Sequence, residues 1–98
     1  MLKIEAERRE RLGKEDAKKI RRQGYVTGVI YGNGKVYEQV KLKLSDISKL
    51  LKDQTKILEL KVADKIYKVR LQDIQINPIT DKPIHFDFYA LEEPITEN

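Results

Sequence analysis

Apolar and polar residues alternate along most of this chain with a period of two. Leu2, Ile4 and Ala6 interleave with Lys3, Glu5 and Glu7, which predicts a first strand with one buried face. Tyr25 to Tyr31 is rich in β-branched and aromatic residues. Gly32-Asn33-Gly34 follows, and Asn-Gly between two such runs is a strong hairpin signal. The partner run sets Val36, Val40, Leu42 and Leu44 against Tyr37, Gln39, Lys41 and Lys43. Leu58, Leu60 and Val62 form the next strand, and Ala63-Asp64-Lys65 turns it into Tyr67, Val69 and Leu71. After Leu71 the apolar parity slips to Ile74 and Ile76, which predicts a β-bulge near Gln72-Asp73. Asn77 to Pro83 reads as a loop fixed by two prolines. Ile84 to Ala90 is the last strand.

Two segments leave this period. Lys14 to Gln23 reads as a helix with Glu15 and Asp16 in its first turn, Arg21 and Arg22 in its last, and Gly24 just beyond. That charge order suits the helix dipole, and the glycine suits a left-handed cap. Only Ala17 and Ile20 are apolar there, so the buried stripe is thin. Ser45 is placed to cap a second helix through Asp53, with Ile47, Leu50 and Leu51 as its apolar stripe. Six strands, two or three short helices and short connections predict a mainly β (α+β) fold. The expected form is a small, six-stranded, mostly antiparallel β-barrel. One domain is expected over residues 1–91, with residues 92–98 a loosely held tail.

Composition narrows the function classes. The 98 residues carry no cysteine, which excludes disulfides and cysteine-based zinc sites. The beginning, MLKIEAERRE, holds no apolar run that could serve as a signal peptide. No stretch approaches the roughly 20 apolar residues of a membrane span. The net charge of +4 is unevenly placed: residues 1–24 hold nine Lys/Arg against five acids, and the rest of the chain balances. Five of the six arginines lie in that first quarter. Arginine's planar fork fits phosphates and base edges. On charge alone, the segment is either a polyanion-binding face or a basic, solubilising end.

The sharpest local signal is His85-Phe86-Asp87-Phe88-Tyr89. Strand alternation sends Ile84, Phe86, Phe88 and Ala90 inward, and stands His85, Asp87 and Tyr89 on one outer row. The only histidine and a carboxylate thus form a catalytic pair, a recognition pair, or an ordinary solvated face. Catalysis lacks a nucleophile, since Cys is absent and Ser45 and Ser48 fall on a helix. One histidine and scattered acids do not make a metal site. Gly32-Asn33-Gly34 is no phosphate loop, because it joins two strands. Tyr31, beside the glycine turn, is either exposed for stacking or a barrel-end core ring. Gln75, between Ile74 and Ile76, faces outward with an amide suited to a base edge.

The residues resemble a known family. EAERRERLGKEDAKKIRRQGYVTGVIYGNG and VRLQDIQINPITDKPIHFDFYAL are similar to the bacterial large-subunit ribosomal protein "L twenty-five" family, which includes the Ctc general-stress proteins. The likeness runs from about Ile4 to Leu91. It implies a six-stranded barrel and a non-enzymatic, cytoplasmic role in the large ribosomal subunit. It also implies binding to 5S ribosomal RNA at internal loop E, in a widened minor groove that holds magnesium ions. No cofactor of the protein's own and no membrane partner is implied, and the free protein is expected to be a monomer. By position, Arg9, Lys18, Lys19, Arg21, Tyr31, Gln75, His85 and Asp87 correspond to the family's RNA-contacting residues, and Lys14, at the start of the basic helix, is expected to join them. Lys18 and Lys19 stand where the family commonly has arginine, and Thr27 where proline is usual. The reading weighed against this one is a protein-interaction or stress-response module with only non-specific RNA affinity.

Overall fold

The computed structural model describes residues 1–52, 54 and 56–97. Its elements are β1 (Leu2–Arg8), α1 (Lys14–Arg22), β2 (Tyr25–Gly32), β3 (Val36–Lys43), α2 (Leu44–Lys52), β4 (Ile57–Val62), β5 (Lys65–Ile76), β6 (Pro83–Ala90) and β7 (Ile95–Thr96). The strands neighbour one another in the order β4-β1-β3-β2-β6-β5-β7, and β4 also pairs with β5. That last pairing closes six strands into a ring, the expected barrel. Four junctions are antiparallel, while β1–β4 and β2–β6 are parallel. Closure leaves little unpaired strand edge.

Alternation fills the ring. Ile4, Val26, Ile30, Val40, Leu42, Leu58, Leu60, Val62, Val69, Phe86 and Phe88 are all buried in one cluster. Gly28 sits among them, where an added Cβ would lie 3.0 Å from the Leu42 side chain and 3.4 Å from Phe88. The predicted bulge is present. Leu71 pairs with Phe88 but Asp73 with Asp87, so Gln72 is the extra residue. It lets Leu71 and Ile74 both lean on the core while Gln75 turns outward opposite His85. Ile76 departs from the expected parity. A second register shift follows Gln75, and Ile76 is 52% exposed where the sheet runs out.

The helices occupy different sides of the ring. β1 and β2 both run antiparallel to β3 and flank it. The chain must therefore return along the barrel between them, and α1 makes that return outside, because the inside is full. Ile20 is buried beneath α1 yet lies outside the core cluster. α2 follows β3 and closes one end of the barrel with Ile47 and Leu50. Its details differ from expectation. Leu44 opens the helix instead of extending the strand, Ser45 is therefore inside it, and Leu51 is 45% exposed. A helix lying on a barrel end buries a narrow stripe, and the Leu44 amide is drawn to the Gly24 carbonyl at 2.9 Å. Asp53 lies outside the described residues, as does Asn98 in the tail. In that tail, β7 pairs with Lys65 and Ile66, and Glu97 meets Lys61 at 3.1 Å.

The opposite end is closed by polar groups. Glu38 occupies the inward row of β3, between Val36 and Val40, in a place that an apolar pattern hides. Arg8 Nε donates to Glu38 Oε2 at 2.9 Å, and the hydroxyl of Tyr67 donates to Oε1 at 3.4 Å. The Tyr67 ring is buried. That burial first, and the Glu38 charge second, raise its pKa above the ordinary 10.0. The bond to Glu38 also raises the Arg8 pKa.

Two outcomes follow for stability. Gly32 has φ 130°, and an added Cβ would lie 2.9 Å from the Tyr89 ring. Gly32→Ala is expected to lose about 1–3 kcal/mol in urea unfolding; an unchanged midpoint would refute the strain. Because the folded pKa of Tyr67 is raised, its contribution is complete below the unfolded value near 10.0. It is lost as pH climbs through the folded value, where the unfolded chain has already given up the proton. Tyr67→Phe should therefore flatten the alkaline fall of stability relative to the parent chain, measured by unfolding at stepped pH above 9.

Candidate nucleic-acid interface

Pairing registers assemble the outer surface of β3, β2, β6 and β5 into three rows. The first runs Lys41, Thr27, His85, Gln75; the second Gln39, Val29, Asp87, Asp73; the third Tyr37, Tyr31, Tyr89, Arg70. Three residues singled out from two stretches of sequence, Gln75 from one and His85 and Asp87 from the other, thus lie side by side. His85 Nε2 is 3.1 Å from Asp87 Oδ1, and both side chains are about one-quarter exposed. Asp73 is the cross-strand partner of Asp87, and like charges in that position repel. Each carboxylate has a donor to offset this: Asp73 accepts the Ile74 amide at 2.9 Å, and Asp87 faces His85.

The third row is aromatic. Tyr31 is half-buried and meets Tyr89 edge-on, with ring centroids 6.0 Å apart. It is neither a core ring nor fully free. Arg70 lies over Tyr89 at 5.6 Å, and Tyr37 is 63% exposed. The outward row of β6 already included Tyr89, but its meeting with Tyr31, Tyr37 and Arg70 escaped the sequence reading because only strand pairing joins them.

α1 borders this surface, since it packs on β2. Lys14, Lys18, Lys19 and Arg21 are exposed along it. Lys18 is only loosely tied to Glu15, at 4.0 Å, and an exposed pair of that kind contributes little. Beneath α1, Lys41 sits 4.9 Å over the Tyr25 ring and 3.6 Å from Glu7.

Arg9 behaves differently from the other cations. Its side chain is only 7% exposed. Nη2 and Nε donate to Asp16 Oδ2 at 3.0 and 3.3 Å, and its backbone amide donates to the Gln39 carbonyl at 3.0 Å. Arg9 therefore ties the end of β1 to the first turn of α1. Counting cations along the sequence grouped it with the free ones, and Asp16 went unnoticed as its partner. Among the described residues no three His, Cys, Asp or Glu side chains are arranged to hold a metal ion. Among the same described residues, no helix is long and apolar enough to cross a membrane.

A model of the Ribosomal L25p family matches residues 4–88, and the chain belongs to that family. Relatives named large ribosomal subunit protein bL25 come from several bacteria. The one from Oceanobacillus iheyensis is 37% identical over 92 residues, covering 92% of this chain and 43% of that protein. The one from Campylobacter hominis is 39% identical over 80 residues, covering 81% and 45%. The one from Rickettsia prowazekii is 34% identical over 95 residues, covering 94% and 47%. The chain spans about half the length of the curated relatives it matches.

The Arg9 clamp makes its own prediction. A double-mutant cycle of Arg9→Ala and Asp16→Ala should give a coupling energy of about 1–2 kcal/mol. Each single change should speed hydrogen exchange of the α1 amides. Additive effects would mean that the pair does not hold the helix.

Proposed function

We propose that this chain is a non-enzymatic constituent of the large ribosomal subunit, acting in the cytoplasm, that binds 5S ribosomal RNA in its loop E region. The observation that carries the reading is the placement of Gln75, His85, Asp87 and Tyr31 on one outer face, next to the exposed cations of α1. Phosphate contacts fix position, and contacts to base edges select sequence. Lys14, Lys18, Lys19 and Arg21 take the first role. Gln75, with an amide that donates and accepts, and Asp87, which accepts, take the second. His85 shares that face, and Tyr31 offers a ring edge and a hydroxyl. Arg9 acts by holding α1 in place.

A regular A-form helix hides its major-groove base edges and offers a shallow minor groove. A convex barrel wall studded with polar groups suits a widened, irregular groove better. Magnesium ions at such an interface would belong to the RNA. The free protein is read as a monomer, without a membrane partner. Family membership and the names of the relatives support assignment to the large subunit.

The test compares binding to a loop E fragment with binding to a plain RNA duplex of equal length, with magnesium, near ~0.15 M salt. A clear preference for the loop is expected. Lys19→Ala should weaken both RNAs alike and lower the salt slope by about one. Asp87→Ala should cut the preference for the loop; equal losses on both RNAs would remove Asp87 from base reading. Equal, weak binding of the parent chain to both RNAs would overturn the proposal.

A further inference from the structure

Thr27 is the one buried polar residue among the described residues, at 4% exposure. Its parity on β2 puts its side chain on the outer wall of the barrel. There it is the cross-strand partner of His85, although 58 residues separate the two. The Oγ1 atom lies 3.1 Å from the Ile84 carbonyl oxygen and 2.7 Å from His85 Nδ1. On the far side of the ring, Nε2 is 3.1 Å from Asp87 Oδ1. Both nitrogens of the imidazole are therefore engaged within the protein.

We propose that Thr27 is a positioning residue: it holds His85 at Nδ1, commits Nε2 to Asp87, and so presents the Asp87 carboxylate as the group that meets RNA. A hydroxyl carries one hydrogen and accepts two, which leaves two workable arrangements. In one, with the ring as the imidazolium, Thr27 donates to the Ile84 carbonyl and accepts Nδ1–H. In the other, it donates to Nδ1. In both, Nε2 carries the hydrogen that Asp87 accepts. The remaining tautomer, with hydrogen on Nδ1 alone, would turn a lone pair toward a carboxylate. Thr27 thus removes the freedom of the ring to rotate or to exchange its partners.

The consequence concerns ligand chemistry. With both nitrogens occupied, His85 offers RNA its ring face and carbon-bound edge, not a hydrogen bond. A carboxylate has about four lone-pair sites, so Asp87 keeps acceptors after satisfying His85. An acceptor without a donor selects an exocyclic amino group and rejects a phosphate. Gln75, cross-strand partner of His85 on its other side, supplies the complementary donor and acceptor.

This inference rests on the proposed RNA reading, and the experiment separates the two. His85 is the only histidine, so its ring gives one unambiguous set of signals in long-range proton–nitrogen correlation spectra of the free protein. Those spectra, and affinities for the loop E fragment and the plain duplex, are recorded for the parent chain, Thr27→Val and Thr27→Ser. Thr27→Val keeps the shape and removes the hydroxyl. It should move the His85 Nδ1 signal and lower the preference for the loop about tenfold, roughly what one well-placed hydrogen bond contributes. Thr27→Ser should restore both. An unmoved Nδ1 signal in Thr27→Val would overturn the clamp. A moved signal with full loop preference would overturn its part in recognition. If the parent chain itself shows no loop preference, the RNA reading fails, and the spectrum alone still decides the clamp.

Discussion

Closing six strands into a ring forces every strand residue onto one of two surfaces, and the rest of this structure depends on that division. The inner surface takes the aliphatic and phenylalanine side chains. The outer surface receives what alternates with them. The constraint is strict because a slip of one residue exchanges the two sets. β5 meets it with one extra residue. Gln72 absorbs the slip, so Leu71 and Ile74 both serve the core and Gln75 arrives opposite His85. Without that bulge, the partner of His85 on the β5 side would come from the apolar row. The bulge thus links core packing directly to the composition of the outer face.

Much of this could be read from local pattern. The Asn33-Gly34 hairpin, the parity slip after Leu71 and the outward row of β6 all rest on residues close in sequence, where periodicity and turn chemistry act. The features that escaped are those created by pairing between distant strands. The parallel β2–β6 junction joins Thr27 to His85 and Tyr31 to Tyr89, and nothing local in either strand names its partner. Glu38 was hidden because one polar residue in an inward row looks like noise until Arg8 and Tyr67 are seen to meet it. Arg9 illustrates the same limit for charge. Counting cations describes a field, but only the geometry tells a free guanidinium from one bonded to Asp16.

On the proposed reading, the arrangement separates tasks between elements of different rigidity. α1 buries little besides Ile20 and is held at its start by the Arg9–Asp16 pair. A helix so lightly attached is suited to contacts that tolerate small shifts, such as lysine to phosphate, where a point charge on a flexible stem suffices. Hydrogen bonding to a base edge tolerates much less. On the proposed reading Gln75 and Asp87 make such bonds, and they stand, with the His85 ring that holds Asp87, on paired strands backed by Phe86 and Phe88, both fully buried. Groups that need precise placement are thus fixed to the core, and groups that need only charge are not.

Two carboxylates facing each other across β5 and β6 are an unfavourable choice for a surface that merely attracts polyanions. Asp73 and Asp87 oppose the field of α1 at short range and repel a phosphate that approaches the wrong part of the wall. On the proposed reading, that repulsion is useful. Attraction by lysine and arginine raises affinity for every RNA alike, whereas selection depends on the difference between right and wrong ligands. A carboxylate widens that difference from both sides, since it accepts from an amino group and penalises a phosphate. Its effect depends on being held still, because a mobile carboxylate would swing away from either. The line from Thr27 through His85 to Asp87 supplies that restraint, and it does so with a hydroxyl anchored on a strand that the barrel itself keeps in register.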